Sequence, residues 1–182
     1  MNSINQQQPE TNHEDLYGDE AAKKIKELAK KAGTCFLCTA ANMDQLFQAR
    51  PMSVQQADEE GNLWFLSAGD SRLNEQINAD SRVQLLFQGS AHSDFMSVYG
   101  TAAISHDKEK IHEFWQPLFK TWFTEGENDP RITVIKVETA EGYYWDNKHG
   151  NAAALIKMAI GAMMGKTLDD SIEGKLSVTS SK

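Results

Sequence analysis

Gln48-Ala49-Arg50-Pro51-Met52-Ser53-Val54 sets a guanidinium and a proline inside a stretch whose neighbours read as strand. Packing gives no reason for Arg50 in such a setting, so an anion is the expected one. Pro51 has no N–H to give to a ladder; the strand is therefore an edge, is bulged, or turns its free side to a ligand. Leu46 and Phe47 lie to one side. To the other, beyond the acidic turn Asp58-Glu59-Glu60-Gly61, runs Leu63-Trp64-Phe65-Leu66, and the two runs read as strands of a hairpin. Gly69-Asp70-Ser71-Arg72 then opens a helical pattern over Leu73 to Ala79. Helix starts attract anions because their first N–H groups lack partners. Arg50, Ser71 and Arg72 can thus meet on one phosphate, with planar guanidinium forks and a hydroxyl donor.

Working outward, further strand candidates are Thr34 to Ala40, Leu46 to Gln56, Asn62 to Ala68, Arg82 to Gln88, Met96 to Ser105, Arg131 to Glu138 and Glu141 to Trp145. Turn pieces at Ala41-Asn42-Met43-Asp44, Glu59-Glu60-Gly61-Asn62 and Gly89-Ser90-Ala91-His92 fall at hairpin spacing. Helical periodicity covers Asp19 to Ala32, with Gly33 as its stop, and Ser71 to Asp80. It also covers Lys108 to Phe123, with Asp107 as N-cap and an aromatic stripe (Phe114, Trp115, Trp122) suited to a core. A last helix, Ala152 to Met164, is apolar on a broad face and suits packing on the barrel or on a partner chain. Gly174 to Val178 is a candidate edge strand, and Thr179 to Lys182 an end that frays. The expected architecture is mainly β: an antiparallel barrel or sandwich with flanking helices. Residues 1–12 read as a polar tail and 13–182 as one domain, its core at about 19–146.

Composition narrows the function classes. A net charge of -8 disfavours binding along a phosphate backbone, so no nucleic-acid partner is expected. The lysines between Lys23 and Lys31 alternate with Glu27 and read as a solvated helix face. No run of about 18 apolar residues and no secretory leader is evident, which implies a cytoplasmic protein without a membrane partner. Cys35 and Cys38 form a C-x-x-C, but on a strand their side chains take opposite faces, so inert thiols are expected rather than a disulfide. The five histidines are scattered without ligand spacing, and no metal site is expected. No G-x-S-x-G, Walker loop or G-x-G-x-x-G occurs, and no catalytic side chain is assigned.

Arg50-Pro51-Met52, the strand Leu63 to Ser67, Asp70-Ser71-Arg72 and Ser81-Arg82-Val83-Gln84-Leu85-Leu86-Phe87, in that order, resemble the FMN-binding split barrel of the pyridoxamine 5'-phosphate oxidase-like superfamily, in its bacterial general stress protein branch. The resemblance runs from about Ala21 to Trp145 and takes in Tyr99-Gly100-Thr101-Ala102 and Tyr143-Tyr144-Trp145-Asp146. It implies a homodimer with two flavin sites at the subunit interface. Arg50, Ser71 and Arg72 would hold the FMN phosphate, and Met52 and Ser53 would line the flavin. Phe65, Leu66 and Ser67 would lie along the isoalloxazine, Gln88 near its polar edge, and Trp145 against flavin bound mainly by the other subunit. FAD is the alternative cofactor.

The departures are as informative. Leu73 stands where authentic pyridoxamine phosphate oxidases carry a lysine after Ser-Arg, Gln55 aligns with another lysine, and no Arg-x-His follows Trp145. Vitamin B6 oxidation is thereby rejected as the activity. Three functions stay open: an FMN-dependent oxidoreductase acting on a small-molecule ligand, a non-catalytic flavin-binding stress protein, or a flavin-less dimeric interaction module.

Overall fold

The computed structural model describes residues 12–39, 47–148 and 170–179. The polar tail, the turn at 41–44, the helix expected over Ala152 to Met164 and the last three residues lie outside them. The elements run β1 (Leu16–Tyr17), α1 (Asp19–Ala32), β2 (Thr34–Thr39), β3 (Gln48–Ser53), β4 (Gln56–Ala57), β5 (Leu63–Ala68), α2 (Arg72–Ala79), β6 (Arg82–Gln88), β7 (Phe95–Ser105), α3 (Lys108–Phe114), β8 (Ile132–Asn147) and β9 (Ser171–Ser177). No helix among the described residues is long and apolar enough to cross a membrane.

All nine strands join one sheet, ordered β1-β9-β8-β7-β6-β2-β3, with β5 on β8 and β4 on β5. The 16-residue β8 makes the sheet fork. Its first half pairs with β5 (Ala68↔Ile132 to Leu63↔Val137), its second half with β9, while β7 runs along its other edge throughout. A bulge between Tyr99 and Gly100 bends this long pair, and a Cβ on Gly100 would lie 2.3 Å from the Glu138 carbonyl oxygen. The result is a split β-barrel, antiparallel except where β1 runs parallel to β9.

Strand alternation fills the barrel: Leu37, Leu63, Phe65, Leu85, Val98, Ile135 and Val137 all point inward and are fully buried. The amphipathic α1 closes the barrel with Ile25, Leu28 and Ala29, and ends where expected, at Gly33 with φ 67°. Lys24–Asp146 and Lys31–Asp94 ion pairs fasten it to the sheet. A second cluster (Ile111, Phe114, Phe123, Ile132, Val134) lies under α3 and the segment after it.

Four expectations change. The Arg50 stretch does not pair with Leu63 to Leu66; β3 lies antiparallel to β2, and only Gln56-Ala57 reaches β5. The chain breaks between them at Val54, whose N–H turns instead to the Gly33 carbonyl. The edge reading of Pro51 agrees with β3 ending the sheet. The helix over Lys108 to Phe123 stops at Phe114, because Pro117 offers no N–H and forces Gln116 into extended backbone (φ -129°, ψ 143°); a short 3-10 turn, Pro117–Thr121, follows. The two closing strands are one, β8. The C-terminal strand is longer than expected and is flanked on both sides, by β8 and β1.

Candidate functional site

The site begins where β5 hands over to α2. Ser71, extended at φ -79° and ψ 150°, is the N-cap: its Oγ accepts the Asn74 N–H at 3.2 Å, and its carbonyl accepts the Glu75 N–H at 3.1 Å. The N–H groups of Arg72 and Leu73 are left as the open donors of the helix start. The Ser71 O–H itself donates to Asn74 Oδ1 over a long 3.4 Å, a weak bond that an anion at the helix start could replace. Buried Ser67 stands beside it, Oγ to Oγ 3.3 Å. Beneath, Asn74 Nδ2 donates to Thr133 Oγ1 at 2.8 Å, and Thr133 Oγ1 donates to the Ser67 carbonyl at 3.0 Å, a buried tie between α2, β5 and β8.

Arg50 reaches the same helix from β3. Its Nη2 donates to Gln48 Oε1 at 2.6 Å and its Nη1 to Thr39 Oγ1 at 3.4 Å; Thr39 in turn donates to Gln76 Oε1 at 2.7 Å. Gln76 and Arg72 are four apart on α2 and share a face. Arg50, half-buried, is thus linked through Thr39 to Gln76 of α2, while Arg72, exposed, stands in the first turn of that helix.

The chain's four arginines divide into two kinds. Arg82 grips Asp80 and Arg131 grips Asp129, each with two or more contacts of 3.2 Å or less. These guanidinium hydrogen bonds hold the two carboxyls well below the usual range, at about 2 in each case. Arg50 and Arg72 have no carboxylate partner among the described residues, and Arg50 is held by neutral amide and hydroxyl oxygens. In a chain of net charge -8, two guanidiniums without carboxylate partners, one of them in the first turn of α2, are candidates to receive an anion.

A groove of about 380 Å³ lies between β3 and β5. Pro51, Met52, Ser53 and Gln55 form one wall and Leu66, Ser67 and Ala68 the second; Phe119, Trp122 and Phe123 form a third. It is mostly apolar with a few hydroxyl and amide groups, the character of a slot for a planar organic ring. With the arginines, the arrangement suits an amphipathic ligand carrying an oxyanion.

Of the expected site residues, Met52, Ser53, Leu66 and Ser67 line this groove, with Ser71 next to it. Phe65 does not: its side chain is fully buried inside the barrel on the inward face of β5, whereas Ser67, on that face but at the strand end beside Ser71, reaches the groove with the outward Leu66 and Ala68. Gln88 and Trp145 lie elsewhere, on the outer face of the sheet, both beside Phe95 in cross-strand register. Gln88 Nε2 donates to the Ser90 carbonyl, and Trp145 packs on Tyr143 at 4.8 Å. Thr39, Gln76, Phe119 and Trp122 are additions that sequence reasoning missed; only Pro117, which ends the helix before them, could have signalled the aromatic pair.

The same outer face carries exposed apolar side chains, Pro51, Phe36 and Leu86 in one cross-strand row that continues through Ser97 to the half-buried Tyr143, with exposed Tyr99 and Trp145 alongside. Both cysteines are free and buried, and burial pushes Cys35 up to about 12 and raises Cys38. No cluster of potential metal ligands occurs among the described residues.

The chain belongs to the pyridoxamine 5'-phosphate oxidase-like family, whose model matches residues 20–169. Protein bli-3 of Neurospora crassa is 26% identical over 127 residues; the match covers 65% of this chain but only 61% of that relative's length. Among solved structures, a candidate general stress protein 26 of Jannaschia sp. CCS1 superimposes with a TM-score of 0.71 at 23% identity, covering 85% of this chain and 96% of that one. The general stress FMN/FAD binding protein of Xanthomonas citri superimposes at 0.54 with 25% identity, covering 65% and 82%. These neighbours fall in the bacterial general stress protein branch of the family.

Proposed function

We propose that this chain is a flavin-binding protein, with FMN as its cofactor and oxidoreductase chemistry on a small-molecule substrate. The observation that carries the reading is the pair of arginines without carboxylate partners, Arg72 in the first turn of α2 after its Ser71 cap and Arg50 on β3 linked to α2 through Thr39, together with an apolar groove beside Ser71. The residues fit the group. Guanidinium forks, the Ser71 hydroxyl and the helix N–H groups suit a phosphate; Met52, Ser53, Leu66 and Ser67 suit the ring. The Xanthomonas citri neighbour, an FMN/FAD binding protein, supports a flavin and keeps FAD as the alternative.

When bound, FMN supplies hydride acceptance and onward electron transfer. The chain's own task is then to bind and orient. Arg50 is aligned in advance by Gln48 and Thr39, so little ordering is needed when a phosphate arrives. Ser67 and Ser71 hold the groove's hydroxyls at the phosphate end, and Met52 and Leu66 exclude water along the ring.

We infer a homodimer through the outer sheet face. Phe36 is 54% exposed and Tyr99 53%, an apolar cost for a monomer that a two-fold partner removes. Gln88 and Trp145, remote from their own groove, would then be offered to the flavin of the partner.

Absorption of the purified protein, followed by FMN titration, tests the reading. Arg50→Ala is expected to weaken FMN by roughly 1.5–3 kcal/mol, the range for charge-assisted hydrogen bonds. Riboflavin, which has no phosphate, should be unaffected. Anaerobic NADPH or NADH should bleach the bound flavin if the protein is a reductase; flavin binding without bleaching by any donor leaves a flavin carrier. No quenching of flavin fluorescence on titration would leave a flavin-less dimer.

A further inference from the structure

The third wall of the groove has no assigned role. It comes from the segment after Pro117, where Phe119 and Trp122 face Met52 and Leu66 across the opening. The barrel core does not need the indole: Trp122 is 60% exposed, whereas Phe123 beside it is 7% exposed and fills the second cluster. Yet Trp122 is not loosely placed. Its carbonyl accepts from Arg131 Nη2 at 3.1 Å, and Arg131 is held by Asp129, whose side chain is buried. Arg131 also lies over the Phe123 ring at 5.9 Å. On its other side Trp122 leans on Phe119 at 6.5 Å, and Phe119 on Trp115 at 5.9 Å. A large ring whose backbone is pinned by a charged clasp and whose indole leans on an aromatic row, but which is left open on the groove side, is a preformed stacking surface.

We propose that Trp122, backed by Phe119, is a binding residue for the planar ring of the groove's ligand and stacks on the isoalloxazine. The proposal rests on the flavin reading and adds the residue that grips the ring rather than the phosphate. Arg50 and Trp122 then act on separate parts of one ligand, and riboflavin, which keeps the ring and lacks the phosphate, separates them.

The test compares the full chain with its Trp122→Ala and Trp122→Phe variants, each titrated with FMN and with riboflavin by flavin fluorescence. Trp122→Ala is expected to weaken both ligands by the same factor, about fivefold. Trp122→Phe, which retains a ring, should weaken them by less. Flavin bound to Trp122→Ala should fluoresce more brightly than flavin bound to wild type, because the stacked indole that quenches it is gone. Unchanged affinity for both ligands, or a loss confined to FMN, overturns the proposal, as does a change in oligomeric state without a change in affinity. If wild type binds neither ligand, the flavin reading itself fails and takes this proposal with it. Thermal melts that match wild type, expected for a side chain this exposed, exclude misfolding as the cause.

Discussion

Thr133→Val removes the buried hydroxyl through which Asn74 of α2 is tied to β8 and β5. Thr133 is 1% exposed; it donates to the Ser67 carbonyl at 3.0 Å and accepts from Asn74 Nδ2 at 2.8 Å, and Asn74 is 2% exposed. Valine keeps the shape but leaves the Asn74 amide as a buried donor without that partner, which costs about 1–3 kcal/mol. Loss of the bond to Ser67 adds about 0.5–1.5 kcal/mol. The extra buried methyl offsets up to about 0.8 kcal/mol. The net expectation is a loss between about 0.7 and 4.5 kcal/mol, read as a lower urea midpoint at unchanged slope. Asn74→Leu combined with Thr133→Val replaces both polar partners, so the double variant should be more stable than the sum of the two single losses predicts, by about 1 kcal/mol or more. Single losses that simply add, or a Thr133→Val loss below about 0.5 kcal/mol, would refute the reasoning that this hydroxyl is the tie.

Stability should fall in alkali. Burial pushes the Cys35 thiol from 9.0 and the Tyr144 phenol from 10.0 up to about 12 each, so between those limits the unfolded chain binds fewer protons and unfolding is favoured as pH rises. Urea midpoints measured from pH 7 upward should therefore drop above pH 9, less steeply in Cys35→Ala; a flat profile to pH 11 contradicts this. A thiol reagent at neutral pH should leave Cys35 and Cys38 unmodified in the folded protein and modify both in denaturant, since both are buried and free. Phe36→Glu, on the exposed outer face, should convert the proposed dimer to monomer in sedimentation and weaken flavin binding with it; an intact dimer would remove that face from the interface.

Local signals were legible. Helix α1 and its Gly33 stop, the Asp107 cap and most strands follow from periodicity and capping chemistry, which act within a few residues. Strand pairing was not, because β3 and β5 are joined by a break at Val54 whose geometry depends on the distant Gly33. The burial of the Phe65 side chain away from the groove was hidden for a related reason. Leu63-Trp64-Phe65-Leu66 is apolar on both faces, one covered by the barrel interior and the other by the aromatic segment, so alternation gave no cue to which face meets the groove. The arginines show the limit most plainly. Asp70-x-Arg72, Asp80-x-Arg82 and Asp129-x-Arg131 share one spacing, yet only the last two close as ion pairs. Ser71 caps the helix between Asp70 and Arg72 and sends Arg72 into its first turn, which leaves that guanidinium open. The expectation of a site at Arg50 and Arg72 came from their strand and helix-start settings and was reinforced by the resemblance; their lack of acidic partners is visible only in three dimensions.

A crystal structure of the FMN complex tests the central claim most directly. The account predicts the phosphate oxygens within about 2.7–3.2 Å of the Arg50 and Arg72 guanidiniums and the Ser71 hydroxyl, with the ring in the groove between β3 and β5. A phosphate seated away from all three side chains, with the cofactor bound at another face, would contradict it.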